Sequence, residues 1–155
     1  MLRPSAEESE AKIYKETSDG CFDDRWMCLR CDPLRMFGGP LIALHCYCRD
    51  CQRSGGVAMS SAMGMPKDNV KILKGEARYY DLVGESGKIV SRGFCANCGS
   101  PLFIKLESSP ALLGIKAGSL DDPDQFKPTM NIYMSSAPKW APMAEGLQKF
   151  QKRQG

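Results

Sequence analysis

The stretch Leu41-Ile42-Ala43-Leu44-His45-Cys46-Tyr47-Cys48-Arg49-Asp50-Cys51 runs from a short apolar segment straight into three thiols. On an extended backbone successive side chains alternate between faces, so Cys46 and Cys48, two apart, point the same way. Cys51 then returns across a turn, and all three sulfurs can meet one zinc ion at ~2.3 Å. The neighbouring cations Arg49 and Arg53 favour the thiolate forms that bind metal. His45, the only histidine of the chain, precedes Cys46 and is directed to the opposite face, where it reads as a packing or supporting residue rather than a ligand.

Outward from this stretch the same kind of segment recurs. Short apolar runs lie at Val57–Met63, Val70–Leu73, Ala77–Val83, Lys88–Phe94, Pro101–Leu106, Leu112–Ala117 and Met130–Met134. Several alternate, and Gly, Pro, Asp or Ser separates them, which predicts an all-β fold. Gly84-Glu85-Ser86-Gly87 reads as a hairpin connection, since glycine supplies the positive φ such turns need. No long amphipathic helix competes. Pro66-Lys67-Asp68-Asn69 predicts one short helical turn, and Glu145 to Lys152 a short terminal helix. Residues 1 to 10 form a polar lead-in, Ala11–Lys15 begins the first strand, and 11–155 make one domain, a size at which a single core suffices.

The chain has eight cysteines, and seven of them cluster in three places. A secreted disulfide scaffold would space its cysteines and carry an export signal. Here the start, Met1-Leu-Arg-Pro-Ser-Ala-Glu-Glu, is too polar for a signal peptide, and no run approaches the ~18 apolar residues of a membrane span. Cysteines one residue apart also suit disulfide geometry poorly. The expectation is a soluble cytoplasmic protein with reduced, metal-bound thiols. A formal net charge of +3, from 21 basic and 18 acidic residues, is too mild to imply nucleic acid. Lys149, Lys152 and Arg153 read as a solvated end.

Cys28-Leu-Arg-Cys31 and Cys95-Ala-Asn-Cys98 are two-thiol knuckles. Gly99 follows the second, where a tight turn requires positive φ, and Asp32 follows the first, one of the few other residues that visit this conformation. Pairing the knuckles gives a closed four-sulfur site, the form of a structural zinc, whereas the triad alone leaves one coordination position open. The chain is therefore expected to hold two Zn²⁺ ions of different kinds. The alternative is a second closed site, the triad being completed by Cys21 or by His45.

Four motifs carry a resemblance: Ala43–Gly55 with its thiol triad, Gly93–Phe103 with the second knuckle, Ala117-Gly-Ser-Leu-Asp-Asp-Pro123, and Pro138-Lys-Trp140. In this order the chain, from about residue 28 to 150, resembles the glutathione-dependent formaldehyde-activating enzymes, whose domain is shared by the centromere protein V group. The resemblance implies a β-tent of folded antiparallel strands and a structural zinc on Cys28, Cys31, Cys95 and Cys98. It also implies a catalytic zinc on Cys46, Cys48 and Cys51 at which glutathione binds and condenses with formaldehyde to S-hydroxymethylglutathione, a carbon-sulfur lyase reaction in reverse. Glutathione carries two carboxylates, so Arg49, Arg53 and Arg92 become candidate partners. The chain departs from the family pattern in two places. Cys28-Leu-Arg-Cys31 replaces an opening Cys-x-Cys-Gly, and Tyr47 stands where a histidine usually separates the first two triad cysteines. Two other readings stay open: the same scaffold acting on another thiol or electrophile, and a non-catalytic zinc-stabilised binding module.

Overall fold

The computed structural model describes residues 34–153. The expected strand at Ala11–Lys15, Cys21, and the knuckle thiols Cys28 and Cys31 lie outside them. Ten strands and one helix follow in chain order: β1 (Leu34–Met36), β2 (Ile42–Cys46), α1 (Arg49–Gly55), β3 (Ser60–Pro66), β4 (Val70–Ile72), β5 (Ala77–Val83), β6 (Ile89–Cys95), β7 (Pro101–Leu106), β8 (Leu112–Lys116), β9 (Met130–Ile132) and β10 (Gln148–Lys149). The mainly β reading holds, and short 3₁₀ turns fill several connections, including the expected one at Lys67–Asn69. Eight strands form one sheet in the spatial order β10-β9-β2-β3-β8-β7-β6-β5, while β1 pairs with β4 separately. Gly84 and Lys88 close the β5–β6 hairpin through a 2.9 Å bond from Gly84 N to Lys88 O, where the glycine pair had marked it.

Three local expectations are corrected. The terminal segment Glu145 to Lys152 is not a helix, because its backbone instead satisfies an open sheet edge. Gln148 N donates to Thr129 O at 3.2 Å and Phe150 N to Asn131 O at 2.8 Å. A helix of two turns is marginal alone, so an available ladder wins. The sheet is also not antiparallel throughout, since β9 runs parallel to β2 and β10 parallel to β9. Finally, residues 57–59 belong to the turn after α1, and the strand begins only at Ser60.

Strand alternation divides the large sheet into two faces of different character. One face carries the core: Ala43, Met63, Met65, Phe103, Leu113 and Ile115 are all buried, joined there by Leu34 of β1 and Leu120. The opposite face carries Leu44, Ala62, Val90, Ile104, Leu112 and Ile132, which line a cavity. The register explains why they share a side. Leu44 stands opposite Ala62, and Arg92 opposite Ile104, and directly opposed residues in an antiparallel pair point the same way. The cavity is therefore a property of the sheet, with the thiol-bearing end of β2 forming one of its limits.

Candidate metal centre

Cys46 is the last residue of β2 and lies on the cavity face, opposite Ser60. The next two residues remain extended: Tyr47 N donates to Ile132 O at 3.0 Å, and Cys48 has φ −63° and ψ 150°. Cys48 is also the N-cap of α1. Its sulfur accepts from Cys51 N at 3.4 Å, a thiol doing what Ser or Asp does at most helix starts. Where a turn was expected, one helical turn thus returns the chain and brings Cys51 back beside Cys46 and Cys48. The three sulfurs all lie within 4.8 Å of one another.

That spacing fits a metal. Tetrahedral zinc with ~2.3 Å bonds places its thiolates roughly 3.8 Å apart, inside the 4.8 Å within which these sulfurs lie. Cys46 and Cys51 are buried, and Cys48 is half-buried. Among the described residues no other Cys, His or carboxylate group gathers three possible ligands. The triad can hold a metal ion from one side and leave the cavity side accessible.

Hydrogen bonds fix the backbone between the thiols. Gln52, buried in α1, donates through Nε2 to Tyr47 O at 2.5 Å and to Ser136 O at 2.9 Å, and its Oε1 accepts from the Arg49 guanidinium. Tyr47 is fully buried, and its hydroxyl donates to Pro142 O at 3.0 Å. Burial raises its pKa, so the hydroxyl stays a donor.

Two cations face the sulfurs. Arg92 Nη1 lies 3.8 Å from Cys51 Sγ. Lys116 stands opposite Ala62 on the cavity face, and its Nζ donates to Ser60 Oγ at 2.5 Å. Of the three thiols, Cys51 is the one pushed down. Hydrogen bonds from Cys46 and Cys48 hold Cys51 down to about 2, with Arg92 and Lys116 adding to the effect, while donation to its neighbours pushes Cys46 well up. Burial lowers Lys116, as expected for an ammonium removed from water.

The remaining sequence candidates separate. Arg49 lines the cavity; Arg53 is exposed and does not. His45 faces the other side of the sheet, as alternation requires, with Nδ1 2.8 Å from Ser61 Oγ and its ring edge-on to Phe126 at 5.5 Å. Cys95 and Cys98 sit at the β6–β7 turn on the core side, Cys95 buried and Cys98 exposed. Gly99 there has φ +74°, the left-handed conformation its position after the knuckle demanded. Its N–H closes the turn onto Cys95 O at 2.9 Å. Sequence reasoning missed Lys116 and Ser60. The alternation of Leu112, Gly114 and Lys116 places the lysine on a face, but only the β3–β8 register shows that this face holds the thiols.

The cavity measures about 590 Å³ and runs along the sheet away from the triad. At its far end lie the β5–β6 hairpin, Ser108 and Arg153. An ion pair between Lys152 and Glu85 and a 3.1 Å bond from Arg153 Nη1 to Ser108 Oγ tie these segments together. Tyr133, at the cavity edge, holds the left-handed φ of 58°, an uncommon conformation for a residue with a side chain. No helix among the described residues is long and apolar enough to cross a membrane.

Residues 26–136 match the family model described as glutathione-dependent formaldehyde-activating enzyme. No curated protein sequence matches the chain. Among solved structures, a crystal structure of a Rhodobacter sphaeroides protein is similar, with 16% sequence identity, coverage of 81% of this chain and 96% of that one, and a TM-score of 0.49.

Proposed function

Because the chain belongs to the glutathione-dependent formaldehyde-activating enzyme family, we propose that it binds glutathione at Cys46, Cys48 and Cys51 and joins its thiol to formaldehyde. The product is S-hydroxymethylglutathione. The observation that carries this reading is the convergence of three sulfurs within 4.8 Å at one end of an open cavity. Cys46, Cys48 and Cys51 would hold a zinc ion, which would favour the thiolate of an incoming thiol over the free thiol of pKa ~8.5.

The chain's own groups account for the rest. Arg92 and Arg49 are placed to pair with the carboxylates of glutathione and so to orient its sulfur. In the reaction a carbon-sulfur bond forms, the carbonyl π pair passes to oxygen, and that oxygen takes up the proton given up by the thiol. Nothing is oxidised or reduced. Lys116 is the residue best placed to meet the developing negative oxygen, as an ammonium held by Ser60 on the same face as the sulfurs. A positioned proton donor contributes roughly 10²-fold or more. Cys95 and Cys98, joined by Cys28 and Cys31, hold a second zinc with a structural role, and the activity belongs to the reducing cytoplasm, where thiols persist.

The test is to titrate zinc-loaded protein with glutathione and to follow adduct formation with formaldehyde against the uncatalysed rate. Binding with acceleration is expected, and Lys116→Met should lose at least tenfold of the acceleration while glutathione still binds. Neither binding nor acceleration in the wild-type protein would defeat the reading and leave the binding-module alternative.

A further inference from the structure

Formaldehyde has no substituent, and glutathione carries two carboxylates and an ammonium group. Neither has a use for most of the surface that the cavity presents. Beyond the cationic end at Arg49 and Arg92, the floor is built from cavity-face side chains of five strands: Leu44, Val90, Ile104, Leu112, Met130 and Ile132. All are apolar, and none is more than half exposed. At about 590 Å³ the space falls in the range of pockets that enclose ligands of drug size. On the floor itself a charged peptide would find no polar partner; the polar groups stand at the two ends, Arg49 and Arg92 by the thiols and Ser108 and Arg153 by the hairpin.

From this floor, which is continuous with the thiol triad, we infer that the site also takes, in preference to formaldehyde, an aldehyde carrying an aliphatic or aromatic chain of several carbons. The inference rests on the reading of the triad as the glutathione site and adds to it the class of the second substrate. The reacting carbonyl lies at the sulfurs, with its oxygen toward Lys116. The chain of the aldehyde extends along the sheet toward the hairpin at Gly84–Lys88. The chemistry is unchanged: the sulfur of glutathione bonds to the carbonyl carbon, the π pair goes to oxygen, and the thiol proton ends there, giving an S-(1-hydroxyalkyl)glutathione.

The floor makes a graded demand. Each methylene moved from water onto apolar surface contributes about fourfold in affinity, the equivalent of ~0.8 kcal/mol. The experiment compares the full-length, zinc-loaded protein on formaldehyde, propanal and hexanal, each rate divided by its own uncatalysed rate. In parallel, calorimetry compares S-methylglutathione with S-hexylglutathione, a readout independent of turnover.

The inference expects a catalysed-to-uncatalysed ratio at least tenfold higher for hexanal than for formaldehyde, and S-hexylglutathione binding at least tenfold tighter than S-methylglutathione. Leu112→Gln should erase both differences. Val90→Thr, which keeps shape and adds one hydroxyl, should reduce them by a smaller factor and covers the case in which the first variant fails to fold. A flat or falling series, with formaldehyde still accelerated and S-methylglutathione still bound, would overturn the inference and leave the glutathione reading standing. If no aldehyde is accelerated and neither glutathione derivative binds, both fall together.

Discussion

The chain uses cysteine in two ways, and the two regions differ in how far each must reach for its partners. Cys46, Cys48 and Cys51 come together within one strand end and one helical turn, on the cavity face. Cys95 and Cys98 sit in a hairpin turn on the core side, with Cys95 fully buried and opposite Ala77 of the core. A site formed by local backbone geometry can exist whether or not the distant chain is in place, and an open side costs it little. The four-sulfur site proposed for the two distant knuckles would close a long loop, so occupying it would be part of folding. The difference sets where tolerance to change should lie under the proposed zinc assignments: the triad should keep the fold without its metal, and the knuckle should not.

The largest expected effect follows at once. Cys98→Ser should abolish folding at ordinary temperature, because binding of a structural zinc contributes of order ~10 kcal/mol, comparable to the whole stability of a domain. Circular dichroism and metal analysis would check it together, with loss of the cooperative melt and of both zinc ions expected. If Cys98→Ser stays folded with one zinc, the proposed four-sulfur site falls and the contrast between the regions disappears.

Cys48→Ser is the matching change on the other side. Metal content should drop from about two zinc to about one, and the acceleration of adduct formation should vanish. The melting temperature should move little, since serine can still cap α1 through its oxygen. A variant that unfolds and loses both ions would show that the triad carries structural weight as well.

A smaller effect is expected at Gly93, two residues before Cys95. A Cβ there would lie 2.8 Å from Phe103 Cβ and 2.8 Å from Tyr79 Cε1. Tyr79 can give way because it is partly exposed, but Phe103 is 1% exposed and fixed in the core. Gly93→Ala should therefore destabilise by about 1–3 kcal/mol, as overpacking does. Denaturant titration would measure it. The metal at the triad should stay bound across the same titration range until global unfolding, which distinguishes strain near the knuckle from damage to the site.

How much of this arrangement the sequence disclosed depends on range. The apolar runs at Ala77–Val83 and Pro101–Leu106 became β5 and β7 at their own boundaries, because a β-rich run bounded by turn residues is a local signal. The hairpin at Gly84–Gly87 was equally local. The triad was legible for the same reason: Cys46 and Cys48 share a face by spacing alone. Gln148–Lys149 was not, since two residues become a strand only when β9 offers an edge. Nor was Lys116, whose bond to Ser60 depends on two strands 56 positions apart in the chain coming into register. The apolar floor has the same origin: side chains from five strands meet only once the order of the sheet is known.

The smallest effect probes the triad's own support. Tyr47 lies between Cys46 and Cys48 with its ring fully buried and its hydroxyl bonded to Pro142 O at 3.0 Å. Tyr47→Phe keeps the ring and removes that one bond. A typical hydrogen bond contributes about 0.5–1.5 kcal/mol, and the low end applies here because Pro142 is exposed and water can take the place of the hydroxyl at its carbonyl. The expected cost of about 0.5 kcal/mol corresponds to a fall in Tm of roughly 1–3 °C in a chain of this size. Zinc content should remain at about two, because the backbone joining the thiols is held by Gln52 through Tyr47 O rather than by the phenol. Loss of the triad metal in Tyr47→Phe would mean that the site draws on the segment around Pro142, some 95 positions away in the chain, and the triad would then be no more local than the knuckle.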